Sequence, residues 1–193
     1  QLLLLSLGLF FLTTGGLLRA QTFSAMVVGG FNLAQIDGDD LLGFRKLGVN
    51  AGLRANTHLS ERWTISLEML FSQQGANRGV NDPLGSGYDK IHLNLVDVPL
   101  MINFSDWKVQ ASAGISYGRI VNYRVEDVFG EDITELEDYR PAVFALNFGG
   151  TFFFTEDWGL NLRWSKYLTD LRADPGDGTL LGRNVSIRLL YQL

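Results

Sequence analysis

The sequence predicts an all-β fold: an eight-stranded antiparallel up-and-down transmembrane β-barrel. Three observations carry that expectation. Apolar and polar residues alternate with period two in most of eight segments, as they do along a strand with two unlike faces. Short connections alternate with long ones, the loop asymmetry of outer-membrane barrels. Trp63, Trp107 and Trp158 each open a strand directly after a short connection.

Composition narrows the field first. A chain of 193 residues allows one domain. It has no cysteine, so neither a disulfide nor a thiolate enters the account. A net charge of -5 argues against a nucleic-acid partner, which needs a basic surface. Glycine is plentiful at 22, proline scarce at 4 and aromatics reach 12%, which suits strands and turns better than helices. Residues 1–20 read as a cleavable secretory signal. Leu2 to Leu12 is almost wholly apolar, and Leu18-Arg19-Ala20 ends the segment on a small residue before Gln21. That run is shorter than the roughly 20 residues a membrane helix needs. The barrel domain is expected over 21–193, so any membrane residence must come from strands.

The strands follow in order. The first covers about Ser24 to Leu33 and carries Gly29-Gly30. The second sets Leu47, Val49, Ala51, Leu53, Ala55, Thr57 and Leu59 against Gly48, Asn50, Gly52, Arg54, Asn56 and His58. The third sets Trp63, Ile65, Leu67, Met69 and Phe71 against Thr64, Ser66, Glu68, Ser72 and Gln74, with Leu70 out of pattern. The fourth, Ile91 to Phe104, changes phase: Ile91, Leu93 and Leu95 share one parity, Val98, Leu100, Ile102 and Phe104 the other. A one-residue bulge near Val96-Asp97, just before Pro99, would restore the register. The fifth sets Trp107, Val109, Ala111, Ala113, Ile115 and Tyr117 against Lys108, Gln110, Ser112, Gly114 and Ser116. The sixth runs about Ala142 to Phe154, the seventh about Trp158 to Leu168, and the eighth Asn184 to Leu193.

Alternation alone fits a soluble barrel with apolar side chains inside equally well. The polar face decides against that. It is built of Gly, Asn, Ser, Gln and Arg with few Lys and Glu, which suits a narrow eight-stranded lumen filled by side chains and not a water-facing exterior. Trp63, Trp107 and Trp158, with Phe104, Phe154 and Tyr191 ending strands at the same level, would form an aromatic girdle at the membrane interface. The expected location is the cell outer membrane, with its lipid as the surrounding partner.

The chain resembles the PorT-like outer-membrane β-barrel family along most of its length. Gly29-Gly30-Phe31-Asn32-Leu33 with Ile36-Asp37-Gly38 is similar to the family's first strand and loop, and Lys46-Leu47-Gly48-Val49 with Ala51-Gly52 to its second strand. Leu67-Glu68-Met69-Leu70-Phe71-Ser72-Gln73-Gln74-Gly75 resembles the third strand. Leu95-Val96-Asp97-Val98-Pro99-Leu100 is similar to an acidic-aliphatic-Pro-Leu segment, with Asp97 where Glu is usual. Arg163-Trp164-Ser165-Lys166-Tyr167-Leu168-Thr169-Asp170 resembles the seventh, though Lys166-Tyr167 replaces the usual Tyr-Gly. The resemblance implies an outer-membrane barrel of OmpA/OmpX-like architecture, usually without assigned activity. Its name comes from a member tied to a secretion system, a role that a shared barrel does not transfer.

No catalytic constellation is visible, and no cofactor or metal is expected. His58 and His92 lie at opposite ends of different strands. A barrel hydrolase would need a Ser, a His and an acid within hydrogen-bond reach. One set of charges does stand out. Arg54, Glu68, Arg163 and Arg188 have lumen parity, each about five residues from a short turn or the terminus, with Asp97 a little higher. Buried charges must be paired, so these five read as an ion-pair plug, or else as the lining of a selective pore. The loops are acidic at Asp37 to Asp40 and from Glu126 to Asp138, without a full calcium-ligand pattern. Asp174 to Gly178 reads as a turn. The leading function is a non-enzymatic, monomeric barrel that is structural or binds another envelope protein through its long loops. The alternatives are a small passive pore, a component associated with a protein secretion system, a lipid-modifying enzyme and a soluble ligand-binding barrel.

Overall fold

A computed structural model describes residues 23–39, 41, 43–80, 82, 87–174 and 178–193. The expected signal at 1–20 lies outside the described residues, as do Asp40 and residues 175–177 of the loops. The described chain forms β1 (Phe23–Asp37), β2 (Lys46–His58), β3 (Trp63–Asn77), β4 (Tyr88–Asp106), β5 (Val109–Asp127), β6 (Ala142–Phe153), β7 (Trp158–Tyr167) and β8 (Leu181–Gln192). Each strand pairs antiparallel with the next, and β8 returns to β1 to close the barrel. Closure leaves no strand edge unpaired, which the lipid interior requires because it offers the backbone no water.

The two faces are distributed as the inverse of a soluble barrel. Leu53, Leu67, Met69, Ile115 and Leu162 are each more than half exposed on the outer wall, while Asn32, Ser66, Asn103, Asn161, Glu68 and Arg188 are buried inside. An apolar exterior around a polar interior is stable only where the solvent is hydrocarbon. Leu70, out of pattern in the sequence, points into the lumen and packs with Met26, Val28 and Leu190.

The fourth strand corrects the sequence reading. No bulge interrupts β4 at Val96-Asp97: β3 pairs Leu67 with Leu100 and Leu70 with Asp97 in one unbroken register. Ile91, Leu93, Leu95 and Met101 all face inward on the same parity. What changes along β4 is its surroundings. In the membrane the apolar side chains face out to lipid; above it they face in, to a second core. Two register shifts lie instead between β4 and β5: one between Tyr88 and Lys90, and one where Asn94 pairs with Asn122 but Leu95 with Ile120, so that the extra residue there is Val121. Inward parity on β5 accordingly passes from Ile120 to Val125.

The strands also run further than the alternation indicated. β4 and β5 reach 19 residues each, well beyond the roughly 9–11 that cross a bilayer, so this hairpin projects past the membrane. The long connections turn back over the barrel mouth. Leu41 of the β1–β2 loop, Tyr139 of the β5–β6 loop, and Leu171 and Leu180 of the β7–β8 loop join Ile36, Ile91, Leu93, Leu95 and Val125 in one buried apolar cluster. Trp107 differs from expectation too. It sits in the β4–β5 turn, not in the strand, with a left-handed φ of 53° and 83% of its surface exposed.

Candidate functional site

The lumen is the site where polar chemistry concentrates. From the short-turn end it opens as a vestibule of about 520 Å³ whose lining includes Ser24, Asn56, His58, Thr64, Trp107 and Gln110. Above it lies a charged layer. Arg54 of β2 and Glu68 of β3 are cross-strand partners with inward parity, and both are buried. Arg163 of β7 and Arg188 of β8 enter from the opposite wall, where their cross-strand partners Gly149 and Gly30 leave room for a long side chain in a narrow barrel.

Glu68 is the hub. Arg163 donates to it twice in parallel, Nη1 to Oε2 at 2.9 Å and Nη2 to Oε1 at 2.7 Å, the fork geometry that makes arginine–carboxylate pairs strong. Arg188 Nη1 donates to Oε2 at 3.2 Å, and Arg54 Nε stands 3.9 Å from Oε1. Arg54 and Arg188 also reach neutral acceptors, while Arg163 Nε has none. Arg54 donates to Asn56 and Gln110, each at 2.8 Å. Arg188 donates to Asn161 Oδ1 at 3.1 Å and 2.5 Å. Of the five charges expected in this layer, the structure brings four together. Asp97 stands a little higher on the same inward parity, opposite Leu70, and among the described residues no cation lies within 4.0 Å of it. No bulge is needed for that placement, since the continuous register sets Asp97 opposite inward Leu70.

A second polar layer, which the sequence reading did not single out, lies above the charges. Ser72 Oγ accepts from Asn32 Nδ2 at 2.8 Å and from Gln74 Nε2 at 3.0 Å. Ser186 donates to Asn32 Oδ1 at 2.7 Å, and Tyr167 and Asn184 donate to Gln74 Oε1 at 2.8 Å and 3.0 Å. The available signal was the run of Asn, Ser and Gln at lumen parity, since a buried amide or hydroxyl must be hydrogen-bonded. The apolar cluster of the loops closes the lumen above this network.

At the short-turn end Trp63, Phe104, Trp158 and Tyr191 lie on the outer wall, whereas Trp107 borders the vestibule mouth. Trp63 is cross-strand from Phe104 with ring centroids 5.0 Å apart, and Trp158 from Tyr191 at 4.7 Å. Phe154 is exposed just past the end of β6, and Trp107 lies in its turn. At the other end the acidic loop side chains are engaged locally. Asp127 Oδ1 accepts the N–H of Phe129 and of Glu131, each at 2.8 Å, and Asp132 Oδ1 accepts from Thr134. Tyr88 donates to Glu137 at 2.6 Å and accepts from Arg172 Nη2 at 2.7 Å, which ties β4 to the β5–β6 and β7–β8 loops. The histidines do not meet: His58 pairs with Thr64 beside a short turn, and His92 contacts Lys46 Nζ at 2.5 Å near the loops.

Known structures share this architecture. Neisserial surface protein A superposes with a TM-score of 0.53 at 11% identity, over 89% of this chain and 97% of that one. Ail, the attachment invasion locus protein of Yersinia pestis, gives 0.51 at 12%, over 90% and 99%. At these identities the likeness is one of fold. No curated protein sequence matches the chain. The outer membrane protein beta-barrel domain, however, matches residues 2–192, and a chain matched over that span, closed as eight strands with its apolar face outward, belongs to that family and resides in the cell outer membrane.

Proposed function

We propose that the protein is a non-catalytic, non-conducting barrel that acts as a monomer and presents folded extracellular loops to another envelope component. The observation that carries this reading is the pair of barriers in series within the lumen. Glu68 with Arg54, Arg163 and Arg188 fills one level, and the loop-derived cluster around Leu171 and Leu180, both fully buried, fills another. An ion crossing the first must break charge-assisted hydrogen bonds in a site with little water, and crossing the second means entering an apolar core. Two of the loops suit a presenting role because their described parts are tied to each other. The β5–β6 and β7–β8 loops are joined by Arg140 N–H to Leu171 O at 2.7 Å and Ala173 N–H to Asp138 O at 2.9 Å. The separation of His58 from His92 supports the non-catalytic part.

The PorT-like assignment belongs to this reading as well. It rests on the order of the motifs from Gly29-Gly30 to Asp170, and it makes a place beside a secretion machine one form the loop partner could take. The second reading, a narrow passive pore, is favoured by the open vestibule at the short-turn end. Planar-bilayer recording separates the two. The plugged barrel gives no steady unitary current, and sustained open channels from the unaltered protein refute it.

A further inference from the structure

We propose that Arg119, Lys166 and Arg183 form a docking face on the outer wall of β5–β8 for phosphate-bearing lipid headgroups of the outer leaflet. The three sit where the apolar band stops. Lys166 is the next outward position above Trp164, Arg119 the next above Tyr117, and Arg183 the next above Val185. The aromatics beneath mark the acyl-chain level, with Trp164 stacked on Phe148 at 6.1 Å and Tyr117 edge-on to Phe144 at 5.5 Å. This rim is at the long-loop end, which faces outside.

Two features point to an anion. First, Lys166 and Arg183 are direct cross-strand partners. Like charges so placed destabilise a sheet, and an anion bridging them reverses the sign. Second, three other outward basic side chains near this level have acidic partners, Lys90 with Glu126 at 3.0 Å, Arg124 with Asp132 at 3.2 Å and Arg45 with Asp82 at 3.5 Å, while buried Lys46 meets His92. Arg183 itself reaches Asp37. Lys166 and Arg119 are exposed and have no acidic partner within 4.0 Å among the described residues. The loops just above are acid-rich and the chain is net -5, so unmatched cations on this wall are not a by-product of composition. The face is also one-sided. On the adjoining β3–β5 wall, beginning beside Arg119, the rim instead carries a neutral amide ladder that satisfies itself, Gln73 donating to Asn94 at 3.1 Å and Asn94 to Asn122 at 2.5 Å.

The occupant is a lipid, because Lys166 and Arg119 lie on the membrane-facing wall directly above lipid-facing aromatics, whereas Arg183 also leans on Phe44 of the β1–β2 loop. Guanidinium and ammonium groups suit phosphate oxygens, and each surface cation adds attraction to an anionic bilayer.

Trp164 is the reporter, since Trp63, Trp107 and Trp158 are all at the short-turn end. The protein is folded into phosphatidylcholine vesicles containing equal fractions of brominated phosphatidylglycerol or brominated phosphatidylcholine. Brominated phosphatidylglycerol is expected to quench more, with an apparent preference of up to roughly fivefold per cation. Lys166→Gln with Arg119→Gln should bring the two quenchers level, and Trp164→Phe should remove the preference from the otherwise unaltered chain. Heat-modifiable gel migration checks folding, and Lys166→Gln alone, with a partial loss, serves if the double variant misfolds. Equal quenching of the unaltered protein, or an undiminished preference in the charge variants, overturns the proposal. Excess inorganic phosphate that abolishes the preference overturns the assignment to lipid.

Discussion

Replacing Glu68 by glutamine is the sharpest perturbation of the lumen. It removes the only anion within 4.0 Å of three buried guanidiniums among the described residues, while keeping side-chain shape and volume. Three direct hydrogen bonds to the carboxylate are at stake, two from Arg163 and one from Arg188. Charge-assisted bonds are worth about 1.5–3 kcal/mol each, but they do not add. Arg188 keeps Asn161, and Arg54 keeps Asn56 and Gln110. Arg163 is left worst off, because Glu68 supplies both of its acceptors and its Nε already has none. The expected loss is that of one partner removed from a buried ion pair, about 3–5 kcal/mol. Urea unfolding of the barrel in lipid vesicles, followed by tryptophan fluorescence, measures it. Adding Arg163→Met should recover part of the loss, since the worst-placed unpaired cation is then gone. A Glu68→Gln barrel that unfolds within about 1 kcal/mol of the original, the range of an ordinary surface change, refutes the view that this layer is a paired structural plug.

Leu171→Ala should cost about 2–5 kcal/mol, the range for truncating a buried leucine, and should open the β7–β8 loop to protease cleavage from outside before the barrel itself unfolds. Trp107→Asn should raise stability in detergent by about 0.5–1 kcal/mol, because asparagine tolerates the left-handed conformation that tryptophan holds at φ 53°; urea midpoints decide it, and a lower midpoint refutes the strain. Burial, and then the hydrogen bond to Glu137, hold the Tyr88 phenol above its ordinary 10.0. The folded state therefore keeps the proton longer than the unfolded loop does. Its contribution is whole below pH 10 and falls as pH rises through the folded value, so protease resistance of the loops should be level from about pH 6 to 9 and decline above. Tyr88→Phe should remove that decline.

The barrel was legible because a membrane strand has only two environments, and the sequence writes them alternately. The second, third, fifth and eighth strands show this directly: Leu53 against Arg54, Leu67 against Glu68, Ile115 against Ser116, Ile187 against Arg188. The charge layer was legible for the same reason, since Arg54, Glu68, Arg163 and Arg188 share parity and distance from the short turns. Asp97 has the expected lumen parity, a little above Glu68, but the bulge at Val96-Asp97, inferred from Leu95 and Leu100 having opposite parity, is absent.

That inference assumed that apolar means outward along the whole of a strand, and the assumption holds only within the membrane. Above the outer rim water replaces lipid, and the hydrophobic effect turns the preferred face around without any change of register. Ile91, Leu93 and Leu95 lie on the inward parity they share with Met101, and they are buried because the loops bring Leu171 and Leu180 down onto them. The real bulge, at Val121 on β5, falls in the same zone, between outward Val121 and inward Val125, where a parity switch can bring a new set of side chains to the loop core. A phase change in the hydrophobic pattern of such a barrel therefore marks the height at which the strand leaves the bilayer as readily as it marks a bulge. On β4 that height lies between Val96, outward and apolar, and Asn94, outward and polar. This is the level of the amide ladder on one side of the barrel, as Lys166 and Arg183 lie just past the apolar band on the other.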